Sequence, residues 1–202
     1  MQRVSTKRYN GFLCRADLIT SKKAAGRLGG RLPMTMVEYI TKATITNEMI
    51  QRCVLDFLIG SDCALAGAWA VNLYSRYRDE DERMTADIDF VTTNGDEYKH
   101  VIAWVEKELG TELKIFDLSD RLYRLYAKDV RRDRPIVDIM IVSELPQIEV
   151  IDQVPVVGLE EMIKMKEAAI ESPTRPETKR LMDQRDRLVL LDELIRRRRD
   201  EN

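Results

Sequence analysis

Residues 135–142 read Pro-Ile-Val-Asp-Ile-Met-Ile-Val, an apolar run broken only by the carboxylate of Asp138. A run of this length and character fits a strand buried on both faces, in the interior of a sheet. Such a strand must be covered above and below, so the chain has to supply helices as well as further strands. A lone carboxylate inside it is costly unless something compensates the charge. Two readings stand side by side: an ion pair with Arg131, Arg132 or Arg134, or a cationic ligand.

The rest of the sequence supplies both kinds of element. Met49, Ile50, Cys53, Val54, Phe57 and Leu58 recur at three- and four-residue spacing, which predicts a helix over Asn47–Leu58. Thr46 or Asn47 can cap its start and Gly60 can end it. Cys63–Ala66 reads as a short strand, Gly67 as a break and residues 68–77 as a helix. Residues 79–82 form a charged loop, residues 86–92 a strand, residues 98–109 a helix and residues 112–116 a strand. Residues 148–157 add one or two short strands, and residues 159–170 and 178–198 close the chain as helices. The expected fold class is α/β (α+β): a small mixed sheet backed by helices, with a C-terminal helical unit. No repeat or low-complexity tract is present. Trp69 and Trp104 read as core aromatics, and Arg196 to Arg199 as a solvated helix end suited to the dipole.

Charge distribution separates a leading segment from this body. Residues 1–33 hold eight basic side chains against the single acid Asp17, a charge of +7 that leaves −9 on the remainder of a chain whose net charge is −2. A basic arm on an acidic body can touch RNA or DNA, or it can be a solvated tail. Three domains are expected: a basic extension over 1–45, an α/β core over 46–158, and C-terminal helices over 159–202 that pack on the core. Three cysteines with no CxxC pair and a single histidine assemble no usual zinc site, and reduced thiols in the cytoplasm are the natural expectation. The longest uncharged run, Cys63 to Ser75, has 13 residues and is too short to span a bilayer. The leading segment lacks the apolar stretch of a secretory signal, while its Arg-rich, acid-poor character leaves an organelle transit peptide open.

The second carboxylate feature is Asp87-Ile88-Asp89-Phe90. In a strand, residues two apart share a face, so Asp87 and Asp89 stand together with Ile88 and Phe90 on the other side. Like charges at that distance raise a pKa or demand a counter-cation. Mg²⁺ takes oxygen ligands and commonly binds one or two carboxylates plus substrate phosphates. If the Asp138 strand lies beside this one, three carboxylates converge on a site able to hold Mg²⁺ or Mn²⁺. The alternative is a surface alternation on a half-exposed strand. Upstream, Ala64-Leu65-Ala66-Gly67-Ala68 leads from strand to helix through a tight turn. Glycine there allows close approach to a phosphate at a helix N-terminus, or simply tight packing. Neither GxxxxGK[ST] nor GxGxxG occurs.

Together, Gly67-Ala68, Arg83-x-Thr85-x-Asp87-Ile88-Asp89-Phe90 and Asp138 in an apolar strand resemble the minimal nucleotidyltransferases of the DNA-polymerase-β superfamily. The similarity is closest to the branch containing the AbiEii-type toxins of toxin–antitoxin systems and related bacterial and phage proteins. Residues 154–169, with Lys166, and residues 179–188, with Asp183 and Asp186, resemble that branch's strand–helix segment and closing motif. The resemblance spans about residues 49–195. It implies Mg²⁺ at Asp87, Asp89 and Asp138, with Asp138 completing the metal site or acting as base. It further implies nucleotide contacts from Gly67, Ala68, Arg83, Thr85 and Lys166, and a supporting role for Asp183 and Asp186. The implied activity moves a nucleoside monophosphate from an NTP to RNA, tRNA, protein or a small molecule, with an antitoxin or other protein as a possible partner and no membrane. Ala68 stands where the superfamily commonly has a second Gly or a Ser. That departure supports an alternative, a catalytically inactive member acting as an NTP- or partner-binding module.

Overall fold

The computed structural model describes residues 46–75, 85–127 and 135–201. The basic segment 1–33, Cys14, Arg83 and the arginines at 131, 132 and 134 lie outside the described residues. In chain order the elements are α1 (Asn47–Leu58), β1 (Cys63–Ala66), α2 (Gly67–Ser75), β2 (Ile88–Thr92), α3 (Glu97–Leu109), β3 (Leu113–Ser119), β4 (Leu122–Ala127), β5 (Val137–Ile141), β6 (Ile148–Ile151), β7 (Val154–Val157), α4 (Leu159–Glu171) and α5 (Glu177–Asp200).

The strands form one mixed sheet in the order β3-β4-β5-β2-β1-β7-β6. Strand β5 runs parallel to β2 and antiparallel to β4, so it is interior, as its apolar run requires. Strand β1 pairs antiparallel with β2 and parallel with β7. Strand β4 is a correction to the sequence reading, which ended the strands of this region at residue 116. Leu122-Tyr-Arg-Leu-Tyr-Ala has polar and aromatic residues on both alternating faces, so its period of two is weak in sequence. Its pairing with β3 and β5 decides its conformation.

One face of the sheet is covered by α1 and α3. Ile88, Phe90, Ile139 and Leu125 are fully buried there, and Tyr98 of α3 stacks on Tyr123 of β4 with centroids 4.8 Å apart. Trp104 of α3 donates its indole N–H to the Cys53 carbonyl of α1 at 3.1 Å. Helix α1 starts at Thr46, whose hydroxyl accepts from the Met49 N–H at 3.2 Å. Strands β6 and β7 form a hairpin through Asp152 (φ 50°) and Gln153 (φ 73°), both left-handed, as a two-residue turn between antiparallel strands demands.

Helix α5 packs on α4 and α2 through Asp183, Asp186, Leu190 and Glu193, spaced three and four apart. Its arginine-rich end is not simply solvated. Arg197 bridges Glu193 at 2.9 Å and Glu149 of β6 at 2.6 Å, and lies over the Tyr74 ring. The Tyr74 hydroxyl donates to the Val157 carbonyl at 2.9 Å, and burial pushes its pKa upward. Cys53 and Cys63 are buried and in no disulfide, and burial pushes the Cys63 thiol up. Among the described residues, no helix is long and apolar enough to cross a membrane.

Candidate active site

The turn from β1 to α2 sets the floor of the site. Gly67 has φ +63°, a left-handed conformation that side chains disfavour. A Cβ added there would overlap Asp89 Oδ2 and stand 2.6 Å from its Cγ. The glycine is therefore needed twice, for the turn and for the room it leaves to a carboxylate.

Sheet register brings the aspartates together. Asp89 of β2 is paired with Ala66 of β1 on one side and with Asp138 of β5 on the other. Both side chains share the face opposite α1 and α3. Asp87 lies just before β2, held by the Thr85 hydroxyl, which donates to its Oδ1 at 3.0 Å. All three line one cleft of about 370 Å³ with Gly67, Ala68, Thr85, Arg124, Lys166, Arg175, Lys179 and Asp183. Of the positions singled out in sequence, Arg83 lies outside the described residues, Asp186 stands behind Lys166, and the others border this cleft.

The electrostatics are those of a crowded anionic floor. Burial, then the charges of Asp87 and Asp138, push Asp89 up to about 7, against the opposing pull of Lys166 and Lys179. Asp138 is raised by burial while Arg124 opposes the shift. Arg124 of β4, one strand further out, donates its Nε–H to Asp138 Oδ2 at 3.1 Å. The other oxygen, Oδ1, is buried and has no hydrogen-bond partner among the described residues. Asp138 thus has a cationic partner in Arg124 of the neighbouring strand, while the arginines at 131, 132 and 134, the partners considered in sequence, lie outside the described residues.

Lys166 of α4 is buried, not an exposed helix lysine. Its ammonium stands 3.1 Å from Asp183 and 2.7 Å from Asp186, both on α5. Asp183 is further held by Arg175 at 2.7 Å. Lys179 differs: it is exposed, borders the cleft and makes no ion pair among the described residues. Sequence reasoning assigned no role to Lys179, Arg175 or Arg124. The helical spacing of Lys179, Asp183 and Asp186, four and then three residues apart, is the one signal that places Lys179 beside the closing-motif acids.

The donor chemistry suits a hard divalent cation. The donors are carboxylate oxygens, one buried oxygen lacks a hydrogen-bond partner among the described residues, and burial together with the charges of Asp87 and Asp138 raises the Asp89 pKa, a shift that a cation would relieve. As they stand, no three acidic, imidazole or thiol groups among the described residues converge closely enough to enclose an ion. Arg124 occupies one oxygen of Asp138 instead.

A stability test follows from Asp89. Its folded pKa is raised, so its contribution to stability is fully present below the ordinary value of 3.8 and is lost as pH rises through about 7. In a metal-free buffer Asp89→Asn should melt several degrees above the native chain at pH 8 and level with it at pH 4. Thermal denaturation at the two pH values checks this; a variant less stable at pH 8 contradicts it.

A mixed seven-stranded sheet with helices on its faces and two more at its C-terminal end is a nucleotidyltransferase-like fold. No family model matches the chain, and no curated protein sequence matches it. Among solved structures it is similar to the Megavirus polyadenylate synthase, with a TM-score of 0.60 at 16% identity. That superposition covers 96% of this chain and 40% of the synthase, so the chain spans less than half the viral protein's length. Weaker likenesses are to JHP933 from Helicobacter pylori (TM-score 0.46, 16% identity, covering 73% of this chain and 62% of that one) and to the antibiotic-resistance factor ANT(2'')-Ia (0.45, 18%, covering 74% and 92%). At these identities the likeness concerns the fold.

Proposed function

We propose that this chain is a divalent-cation-dependent nucleotidyltransferase that moves a nucleoside monophosphate from an NTP to an acceptor hydroxyl. The observation that carries the reading is the row formed by Asp89 and Asp138, with Asp87 beside it, in a cleft that Lys166, Arg175 and Lys179 also line. Asp87, Asp89 and Asp138 would hold Mg²⁺ or Mn²⁺, which when bound offsets phosphate charge and makes the α-phosphorus more electrophilic.

The chain's own residues do the rest. The Gly67 turn lets backbone approach the phosphates at the N-terminus of α2, where a helix leaves N–H groups without intrahelical partners. Asp138 accepts the acceptor's proton. The acceptor oxygen bonds to the α-phosphorus, the bond from that phosphorus to the bridging oxygen breaks, and pyrophosphate leaves. Lys166, Asp183 and Asp186 fix α4 against α5, and Lys179 meets the polyphosphate with an unshared charge. Lys179→Ala should therefore raise KM for the NTP about tenfold, with a smaller effect on kcat. Steady-state kinetics over a range of NTP concentrations check it, and an unchanged KM removes Lys179 from the site.

Calorimetric titration of each NTP, with and without Mg²⁺, tests the reading at the binding step. Saturable binding that needs Mg²⁺ and disappears in Asp87→Asn/Asp89→Asn supports it; binding indifferent to both argues against it. The Arg124–Asp138 ion pair favours a second reading, an NTP- or partner-binding module without transfer, in which Ala68 and this pair keep Asp138 from working. Metal-dependent binding with no product for any acceptor supports that reading. The AbiEii-type branch, an antitoxin-like partner, a cytoplasmic setting and a nucleic-acid role for residues 1–33 rest on the sequence.

A further inference from the structure

The carboxylate row does not stop at Asp138. Register continues it outward across the sheet: Asp89 pairs with Asp138, Asp138 with Arg124, and Arg124 with Phe116 of edge strand β3. Directly paired residues share a face, so all four point to the side that carries the cleft. In the adjoining row Tyr126 pairs with Lys114 on the same face. Phe116 is 57% exposed, a large apolar ring that solvent reaches next to a charged cleft. Its ring meets Tyr126 edge to face, with centroids 6.3 Å apart and an interplanar angle of 76°. Lys114 is exposed, and the Arg124 side chain is 36% exposed while bonded to Asp138.

Aromatic faces interleaved with cations, leading into a phosphoryl-transfer cleft, are the chemistry of single-stranded nucleic-acid binding. Bases of any sequence stack on the rings, and Lys or Arg meets the phosphates between them. Strand spacing of about 4.8 Å puts Phe116 about 10 Å from Asp138. That is about three stacked nucleotides at roughly 3.4 Å each. We propose that Phe116 and Tyr126, with Lys114 and Arg124, form the acceptor platform, and that the acceptor is the 3′ end of a single-stranded nucleic acid. Its terminal hydroxyl reaches Asp138 while a base two or three positions back stacks on Phe116. This rests on the nucleotidyltransferase reading and narrows its acceptor from the open set of nucleic acid, protein and small molecule. The bonds made and broken are those already given: the 3′ oxygen gains the α-phosphorus, pyrophosphate departs, and the proton passes to Asp138.

The test uses the full chain and a fluorescein-labelled single-stranded RNA of about ten nucleotides, with NTP titration in parallel. Phe116→Ala should weaken RNA binding about tenfold, as expected for losing one stacked base. Phe116→Trp should retain binding, and its new indole emission should be quenched by RNA. NTP affinity should be unchanged in both variants. RNA affinity indifferent to Phe116→Ala overturns the platform, as does a change in the free protein's mass by light scattering, which would mean that the ring covers a second copy. If NTP binding survives while RNA sensitivity is absent, the platform fails and the transferase reading stands. If NTP binding itself is absent, the transferase reading fails, and the RNA comparison still decides whether this face holds nucleic acid.

Discussion

Lys166→Ala should lower the melting temperature by roughly 10 °C, far more than an ordinary helix lysine would. Lys166 is buried between Asp183 and Asp186, themselves nearly inaccessible to solvent. Removing the ammonium leaves two carboxylates in a weakly solvated helix interface with Arg175 as the remaining counter-charge on Asp183. Breaking a buried ion pair from one side costs about 3–5 kcal/mol, because the partner's charge stays buried without compensation. At this chain length each kcal/mol moves the midpoint by about 2–4 °C. The combined Lys166→Met/Asp183→Asn/Asp186→Asn variant should recover part of the loss, since it removes the stranded charges together. Thermal denaturation of the two variants checks this; a shift below about 2 °C for Lys166→Ala would show that the pair contributes little to the α4–α5 interface.

The second large effect belongs to Gly67. Gly67→Ala forces a methyl group into the space of the Asp89 carboxylate at a backbone angle that already disfavours it. The left-handed conformation costs a non-glycine residue about 1–2 kcal/mol. The heavier consequence is local: Asp89 must rotate away from Asp87 and Asp138. Displacing a group by about 1 Å in a transfer site can cost about 100-fold in rate, so NTP turnover should fall by at least that factor. Far-ultraviolet circular dichroism should stay close to native, because the sheet's buried residues are untouched. Near-native turnover by a folded Gly67→Ala chain would show that Asp89 does not need its present position.

Much of this arrangement is legible in the residues. The apolar run around Asp138 marks an interior strand, and alternation around Asp87 and Asp89 marks their shared face. The left-handed turn at Gly67 is foreshadowed by a lone glycine between a strand pattern and a helix pattern. What sequence withholds is lateral: which strands become neighbours. Strand β4 is weak in local pattern, so neither the Arg124–Asp138 pair nor the exposed row ending at Phe116 can be read before the register is known. The same holds for lysines. A lysine resembling a family position suggests a phosphate contact at Lys166, yet packing surrounds it with carboxylates, while Lys179, thirteen residues on, keeps its charge available to the cleft. Ala68 is buried beside the turn.

In the proposed reaction the three aspartates support transfer of a nucleotide from NTP to acceptor. The most direct test incubates the full chain with each NTP labelled at the α-phosphorus, Mg²⁺, and a mixture of single-stranded RNA and protein acceptors, beside the Asp87→Asn/Asp89→Asn variant. Label passing to RNA with the native chain and not with the variant is the predicted result. Equal labelling by both, or no labelled macromolecule from the native chain with any NTP, would contradict it.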